Sequence, residues 1–304
     1  MAFPTSAGVE SYSGSFIPEI WEGMWNVKYY DTTVLGSISN TKYQGSIKNH
    51  GDKVIIRQKP DVTIRTYNIN QDLLVERPKA PILELPIDQG EYFNCILDDV
   101  DETQSDMGLL TAWTEDATEK MKIIIDDKIL GTIYNDIAAT NTGILAGRRS
   151  GSYNLGSDAA PVQLDKSGVL DYIVDHGCVL DEANVPKTGR FLVIPTWMAG
   201  LIKKSDLKDA SLTGDGSSVL RNGRIGMIDT FEVFLSNQLP ELDAGEYVVY
   251  AGHKDGLTFA SQMTKMERLR SERTFGTLLR GLQIYGYKVV KDDALTFGVV
   301  TKKV

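Results

Sequence analysis

The spacing of hydrophobic positions changes several times along the chain, and the longest helical pattern runs from about residue 103 to residue 137. Apolar side chains recur there at steps of three and four residues, which places them on one face of a helix. The residues of this face are Leu110, Trp113, Ala117, Met121, Ile124 and Ile125. At about 1.5 Å per residue the pattern predicts a rod on the order of 50 Å long, several times the ordinary helix length.

An acidic segment precedes the predicted rod. Its acids are Asp98, Asp99, Asp101, Glu102 and Asp106. They lie where the helix dipole is positive, next to the candidate N-cap residues Thr103 and Ser105. A calcium-binding loop would need a glycine at its sharp turn, where this chain has Gln104. The segment therefore predicts the start of a helix rather than a metal site.

The residues before position 40 divide into two parts. The first fifteen or so are small and polar, and we expect an extended arm that packs poorly until a partner fixes it. The following sequence, FIPEIWEGMWNVKYY, has Ile20, Met24 and Val27 on one helical face, beside Trp21 and Trp25. This spacing predicts a short N-terminal helix.

From residue 51 the pattern is that of strands. Apolar residues alternate with others in VIIR (54–57) and again in VTIR (62–65), with QKPD (58–61) between the two runs. The segment as far as Arg77 is charged and poor in large apolar residues, so it can pair with itself as a hairpin but can bury little. We therefore predict a projecting hairpin, followed by an extended return through Pro78, Pro81 and Pro86.

The second half of the chain alternates helical and strand patterns. Val169, Ile173, His176 and Leu180 share one face of a predicted helix over about 167–183. GRFLVIP (189–195) has the pattern of a buried strand, and residues 197 to about 207 form a further predicted helix. A polar loop over about 208–222 precedes the strand pattern FEVFL, and later strands are predicted in EYVVYAGHKDGLTFASQ, GYKVV and LTFGVV. Together these elements predict an α+β fold.

Composition narrows the class of protein. The 304 residues, 42% of them hydrophobic and 24% charged, suit a soluble globular protein of one large or two modest domains. No run of eighteen apolar residues and no signal-peptide pattern occurs, so we expect a chain made in the cytosol that does not enter a membrane. Cys95 and Cys178 lie in apolar contexts and are predicted to be buried thiols.

Net charge bears on nucleic acid as a partner. A net charge of −9 and a pI near 5.0 argue against tight, salt-sensitive binding of phosphates, although a protein can enclose nucleic acid without binding it tightly. One basic run could bind phosphates: Lys265, Arg268, Arg270, Arg273 and Arg280. Because Glu267 and Glu272 interrupt it and aromatic partners are missing, a solvated face or an acidic neighbouring subunit is the favoured interpretation.

The common catalytic motifs do not occur in the sequence. It has no nucleophile elbow, phosphate-binding loop or paired zinc-binding histidines. Asp175, His176 and Cys178 resemble a triad in print, but close neighbours on one element point in different directions and do not converge on one atom. We therefore predict no catalytic residues, no cofactor and no metal.

Several blocks follow one another in an order known from a protein family. They are FIPEIW, YQGSIKNHGDKVIIRQKPDVTIRTY, LPIDQGEYFNCILDDVDETQ, GRFLVIPTW and NGRIGMIDTFEVFLSNQLP. Over about residues 16–240 the chain resembles the major capsid proteins of tailed bacteriophages, which have the Hong Kong 97-type fold. Thr230 departs from the family pattern, since many relatives have glycine before this strand.

The resemblance implies a division of the chain into five segments. These are an N-arm with its helix (1–45), an extended loop (46–90), a peripheral domain with a long spine helix (91–137), an axial domain (138–262) and a return to the peripheral domain (263–304). The extended loop of this scheme is the projecting hairpin that the strand pattern predicts.

The resemblance also implies a function. It indicates a structural protein whose pentamers and hexamers close into an icosahedral head around double-stranded DNA, held without sequence specificity. The expected location is the virion capsid, assembled in the host bacterial cytoplasm, with scaffolding, portal and decoration proteins as further candidate partners. The expected subunit-interface residues are Arg57, Lys59, Asp61, Arg65 and Arg77. The alternatives are a hydrolase using Asp175, His176 and Cys178, and a decoration or binding protein of the same particle.

Overall fold

The computed structural model describes residues 29–43, 53–100, 109–205, 226–272 and 274–303. The predicted arm, the N-terminal helix and the loop over 208–222 lie outside these residues. The helices are α1 (Leu35–Ile38), α2 (Leu109–Ile133), α3 (Gly168–Glu182) and α4 (Thr196–Lys204). The strands are β1 (Lys53–Arg57), β2 (Ile82–Pro86), β3 (Gln89–Asp98), β4 (Val162–Leu164), β5 (Arg190–Ile194), β6 (Met227–Ile228), β7 (Phe231–Leu235), β8 (Glu246–His253), β9 (Leu257–Arg270), β10 (Gly276–Val289) and β11 (Leu295–Lys302).

The first sheet is a two-stranded ribbon, residues 53–86, in which β1 pairs antiparallel with β2. The predicted hairpin exists as a projection, but its turn was predicted at the wrong place. The run 62–65 forms no strand, and the chain reverses at Asn68–Gln71, where the Gln71 N–H donates to the Asn68 carbonyl at 3.2 Å. Asn70 has a φ of 63°, a conformation that asparagine tolerates better than most residues.

Helix α2 is the predicted rod, shorter than expected within the described residues. Its 25 residues correspond to about 37 Å. A 3₁₀ turn, Tyr134–Asp136, follows it, and the predicted start at residue 103 lies outside the described residues. The buried apolar side chains of α2 are Met121, Ile125, Ile129, Leu130 and Ile133. Ile124 is predicted on the buried face but is 44% exposed. The buried residues follow steps of four from Met121, and Ile124 lies at the margin of the face that they form.

Helix α1 packs against α2. Val34, Leu35 and Ile38 belong to the same core as Ile125. The Asp126 carboxylate of α2 is 1% exposed and accepts the backbone N–H groups of Val34 and Leu35, both at 2.9 Å. Burial raises the pKa of Asp126, and the two backbone hydrogen bonds partly oppose this shift. The buried acid therefore satisfies the N-terminal donors of α1.

Strands β3, β10 and β9 form a three-stranded antiparallel sheet in that order, with β3 at one edge. Helix α2 lies against it, where Trp113 packs with Phe93, Leu97 and Leu279. Gly281 is required on β10, since an added Cβ would lie 2.2 Å from the ring of Phe93. The sheet and α2 together form the region expected for the peripheral domain.

The third sheet has six strands in the order β4-β11-β8-β5-β7-β6. The pairs β4/β11 and β5/β7 are parallel, and the other pairs are antiparallel. In β5, Leu192 and Ile194 enter one core with α3 and α4, whereas Phe191 and Val193 enter the core of α1 and α2. The sheet is therefore covered on both faces, which explains the unbroken apolar run of this strand.

Several predictions for the second half of the chain are confirmed. Val169, Ile173, His176 and Leu180 are all buried on α3, and GRFLVIP contains β5. The expected segment 263–304 differs in one detail from the observed sheets. Strands β9 and β10 pair with β3, but β11 lies in the six-stranded sheet between β4 and β8. The five-segment division itself stays a prediction.

Candidate subunit-assembly surface

Within the described residues, the apolar contacts of the ribbon, residues 53–86, with the rest of the subunit lie near its base. Ile56, Leu85 and Ile87 are buried there, together with Ala260 of β9. Beyond β1 and β2 every residue from 59 to 82 is exposed. A few contacts join the two legs, among them the Gln58 N–H to the Pro81 carbonyl at 3.2 Å. The outer part of the ribbon therefore has no core of its own.

The outer ribbon carries large apolar side chains that the subunit does not cover. They are Val62, Ile64, Tyr67, Ile69, Leu73, Leu74 and Val75, between 55% and 92% exposed. The expectation that this segment is poor in large apolar residues is therefore wrong. The run DLLVE (72–76) is the part of the sequence that indicates these apolar side chains. Contiguous exposed apolar surface of this kind marks a protein interaction site.

The predicted interface residues Arg57, Lys59, Asp61, Arg65 and Arg77 are all exposed on the ribbon. Arg65 already has partners in its own subunit: its Nη1 donates to the Leu74 carbonyl at 3.3 Å, and its Nη2 lies 3.8 Å from a carboxylate oxygen of Glu76. The other four form no ion pair with any residue that the structure describes. Their role in contacts between subunits stays a prediction.

The basic run on β9 and β10 is largely paired within the subunit. Glu267 accepts Lys265 at 2.6 Å and Arg280 at 2.5 Å, and the hydrogen bonds from these two residues lower the pKa of Glu267. Arg270 donates to both carboxylate oxygens of Asp99, at 2.6 and 2.8 Å. Arg268 is exposed, and Arg273 lies outside the described residues. These pairs favour a mixed-charge surface over a phosphate-binding one.

The residues of the hydrolase hypothesis have separate partners. His176 is fully buried, its Nδ1 lies 2.6 Å from the Thr296 hydroxyl, and burial lowers its pKa to about 3. The neighbouring Cys178 side chain raises the pKa of the Tyr153 hydroxyl. Burial also raises the pKa of Asp175. The three side chains therefore do not form a relay from acid to base to nucleophile.

Cys95 and Cys178 are partly exposed, not buried as predicted. Among the described residues, Asp158, Asp243 and Glu246 bring carboxylate oxygens within 4.8 Å of one another, with both aspartates exposed. Acids at a protein surface often approach one another in this way without binding an ion.

No helix in the described part of the chain combines the length and the apolar character that a membrane span needs.

Known structures share this fold. A structure from Mycobacterium phage Che8 is 25% identical, with a TM-score of 0.77, and the match covers 94% of this chain and 98% of the other. The capsid structure of the cyanophage P-SCSP1u is 14% identical, with a TM-score of 0.70 and coverage of 95% and 93%. The capsid of the native GTA particle is 13% identical, with a TM-score of 0.65 and coverage of 95% and 97%. No curated protein sequence matches the chain.

The sequence itself matches the model of a family described as phage capsid protein, over residues 96–297. This match covers more than half of the 304 residues. The predicted α+β, Hong Kong 97-type fold and the virion capsid location are therefore confirmed. The chain belongs to the phage capsid protein family and is a structural major capsid protein that forms the head shell.

Proposed function

We propose that the chain forms pentamers and hexamers that close into an icosahedral head around double-stranded DNA, and that the ribbon is the main contact between subunits. The observation that carries this proposal is the exposed apolar surface of the outer ribbon. A subunit that remained alone would keep Ile64, Ile69 and Val75 in water. Burying an apolar side chain of this size contributes about 1.5–3 kcal/mol, so a neighbouring copy of the chain is the natural cover.

The assembly works by many modest contacts. Each subunit donates one ribbon and receives one, and once a ring has begun to form the next contact is made at high effective concentration. Arg57, Lys59, Asp61 and Arg77 then set the register of the ribbon on its neighbour, since charges contribute more to specificity than to affinity. Arg65 contributes indirectly, by holding the two legs of its own ribbon together.

The enclosed DNA is held without sequence specificity. The net charge of −9 and the paired basic residues of β9 and β10 support a shell that surrounds DNA without gripping its phosphates. Assembly takes place in the host bacterial cytoplasm, where scaffolding, portal and decoration proteins are candidate partners. The protein has no hydrolase activity in this proposal, because the His176 ring is fully buried against Thr296 and does not reach solvent.

The experiment uses two variants with the same chemical change. Val75→Asp lies on the ribbon, where the side chain is 92% exposed, and Val174→Asp lies on α3, where it is 48% exposed. We expect Val75→Asp to leave subunit melting, followed by circular dichroism, within about 0.5 kcal/mol of the parent, as for ordinary surface substitutions. It should abolish closed particles in sedimentation and negative-stain microscopy, whereas Val174→Asp should still form them. Normal particles from Val75→Asp would contradict the role of the ribbon.

A further inference from the structure

Strand β3 leaves one edge of the three-stranded sheet without a partner strand among the described residues, because it pairs there with β10 alone. The Asp99 N–H donates to the Phe275 carbonyl at 3.1 Å, and these two residues continue the register of the pair. Hydrogen-bonding directions alternate along an antiparallel strand. The backbone groups of the odd-numbered residues of β3 therefore face β10, whereas the free edge presents those of Tyr92, Asn94 and Ile96.

The two edges of this sheet differ in charge. Charged side chains on an edge strand discourage pairing with another chain. At the opposite edge, residues 265–270 of β9 include four of them: Lys265, Glu267, Arg268 and Arg270. Residues 92–97 of β3, YFNCIL, contain no charge and no proline. Strand β3 is thus the edge that is open to a further strand.

The first leg of the ribbon, residues 59–67, is an extended segment that forms no backbone-to-backbone hydrogen bond with any described residue. A space of about 280 Å³ lies between it and the second leg, and side chains such as Arg65 bridge the two. Its sequence VTIRTY (62–67) is rich in β-branched and aromatic residues, which favour strands. The leg therefore has the conformation of a strand that lacks its neighbour.

We infer that the first leg of the ribbon pairs as an additional strand with the free edge of β3 in a second copy of the chain. This inference rests on the function proposed above and names the surface that receives the ribbon. On β3 it would cover Tyr92 and Ile96, which are 78% and 47% exposed, with apolar side chains such as Val62 and Ile64. Seven residues of the leg span about 23 Å, close to the roughly 20 Å of residues 92–97.

Charge and symmetry favour the ribbon of a second copy over its β3 as the added strand. Strand β3 carries Glu91 and Asp98 and no basic residue, whereas residues 57–67 carry three basic residues and one acid. Pairing of β3 with β3 would bring like charges together and would end at a dimer. A ring of five or six subunits needs a heterologous contact, in which each copy donates one surface and receives on another.

Amide hydrogen exchange, read residue by residue by mass spectrometry, compares the full-length unassembled subunit with closed particles. We expect the amides of Tyr92, Asn94 and Ile96, and alternate amides of residues 61–67, to exchange at least about tenfold more slowly in the particles. Particles with unchanged rates on β3 would overturn the inference and leave the proposed function intact. Absence of any particles would contradict the proposed function, and this inference with it.

Two other results would assign the free edge to a different occupant and so overturn the inference. Slow exchange of the same β3 amides already in the dilute subunit would show that its own chain covers the edge. Slower exchange on β3 without slower exchange in residues 61–67 would show that a strand other than the ribbon pairs there.

Two variants at one position test the edge independently. Asn94→Pro removes an N–H that points away from β10, a position at which an edge strand tolerates proline. Asn94→Ala removes the same exposed side chain and keeps the N–H. We expect the two subunits to melt within about 4 °C of each other, and Asn94→Pro to lose the closed particles that Asn94→Ala forms. Equal particle yields from the two folded variants would contradict the pairing, and if Asn94→Pro unfolds, the exchange rates of the parent decide.

Discussion

The Asp126 carboxylate in the middle of α2 accepts the backbone N–H of Leu35, the first residue of α1, at 2.9 Å. Helix α1 has no side-chain cap of its own, so an acid 91 residues away in the sequence takes that role. The same carboxylate accepts the Val34 N–H. Helix α2 thus fixes the start of α1 on the subunit core.

We therefore expect Asp126→Ala to destabilise the unassembled subunit by about 1–3 kcal/mol, because buried N–H donors lose their acceptor. The measurement is urea denaturation of the purified subunit. Asp127→Ala is the matched control, since Asp127 is the exposed neighbour on the same helix, and it should change the free energy of unfolding by less than about 0.5 kcal/mol. Equal effects from the two variants would show that the cap contributes nothing.

Arg190 provides a second buried charge. It is 1% exposed, donates to the Asp181 carboxylate at 2.6 Å and to the Val185 carbonyl at 2.6 Å, and its Nε donates to the Pro186 carbonyl at 2.9 Å. We expect Arg190→Ala to reduce the free energy of unfolding by about 3–5 kcal/mol, through lost packing and unpaired acceptors.

The control for this variant is Lys187→Ala. Lys187 pairs with the same Asp181 at 3.0 Å, but its side chain is 67% exposed. Its removal should cost less than about 1 kcal/mol, as for other surface ion pairs. Similar losses in both variants, measured by chemical denaturation, would mean that burial of Arg190 does not determine its contribution.

The pKa of His176 predicts acid sensitivity. Burial lowers it in the folded subunit to about 3, below the ordinary value of 6.5. As the pH falls, His176 of the unfolded chain binds a proton before His176 of the folded subunit does. The free energy of unfolding that is present above pH 6.5 is therefore lost as the pH falls toward 3. Between about pH 7 and about pH 5 this one group should remove up to about 2 kcal/mol of stability.

His176→Asn removes the titrating group, so the difference in pH dependence between parent and variant isolates its effect. Urea denaturation at both pH values is the measurement. The variant should show a flatter pH dependence whatever its stability at neutral pH. Parallel curves would mean that the folded subunit binds a proton at His176 as readily as the unfolded chain does.

The ribbon charges give a prediction about assembly. Reversing Lys59 and Arg65 together to glutamate should barely change the melting of the isolated subunit, because the Arg65–Glu76 pair is exposed and worth only about 0.2–1 kcal/mol. The same variant should form few or misassembled particles, since the lost contact recurs in every copy. Circular dichroism and sedimentation on the same samples provide the comparison.

Either of two results would contradict this prediction. Unfolding of the isolated double variant would place the ribbon in the subunit core, and normal particle yield would show that these charges do not steer assembly. Lys59→Glu alone separates the effects of the two residues, because Arg65, unlike Lys59, also contacts the opposite leg of its own ribbon.

Elements packed on a core were predictable from sequence. The face of α3 with Val169, Ile173 and Leu180 followed from its spacing, because a single surface of that helix is buried. The unbroken apolar run of β5 followed from burial on both sides. In such elements, packing against a core determines both which positions are apolar and which side chains are buried.

The ribbon and the Asp126 cap were not predictable in this way. A projecting segment packs on no core, so burial does not impose a regular spacing on its apolar residues. The one local feature that marks its turn is Asn70, which has a positive φ. The apolar side chains of its outer part face no core, because no described part of the subunit covers them. Asp126 resembled any acid on a solvated helix face, and only the fold brings Leu35 to it.

The position of β11 between β4 and β8 bears on how the chain folds during synthesis. In the part of the chain that the structure describes, residues 162–164 of β4 pair with residues 300–302 alone, so β4 has no partner strand until more than a hundred further residues have left the ribosome. Pairing across such a distance is slow, and it leaves strand edges open to other chains. A nascent subunit thus needs protection from its many sister chains, and one interrupted before β11 cannot complete the sheet on which its place in the shell depends.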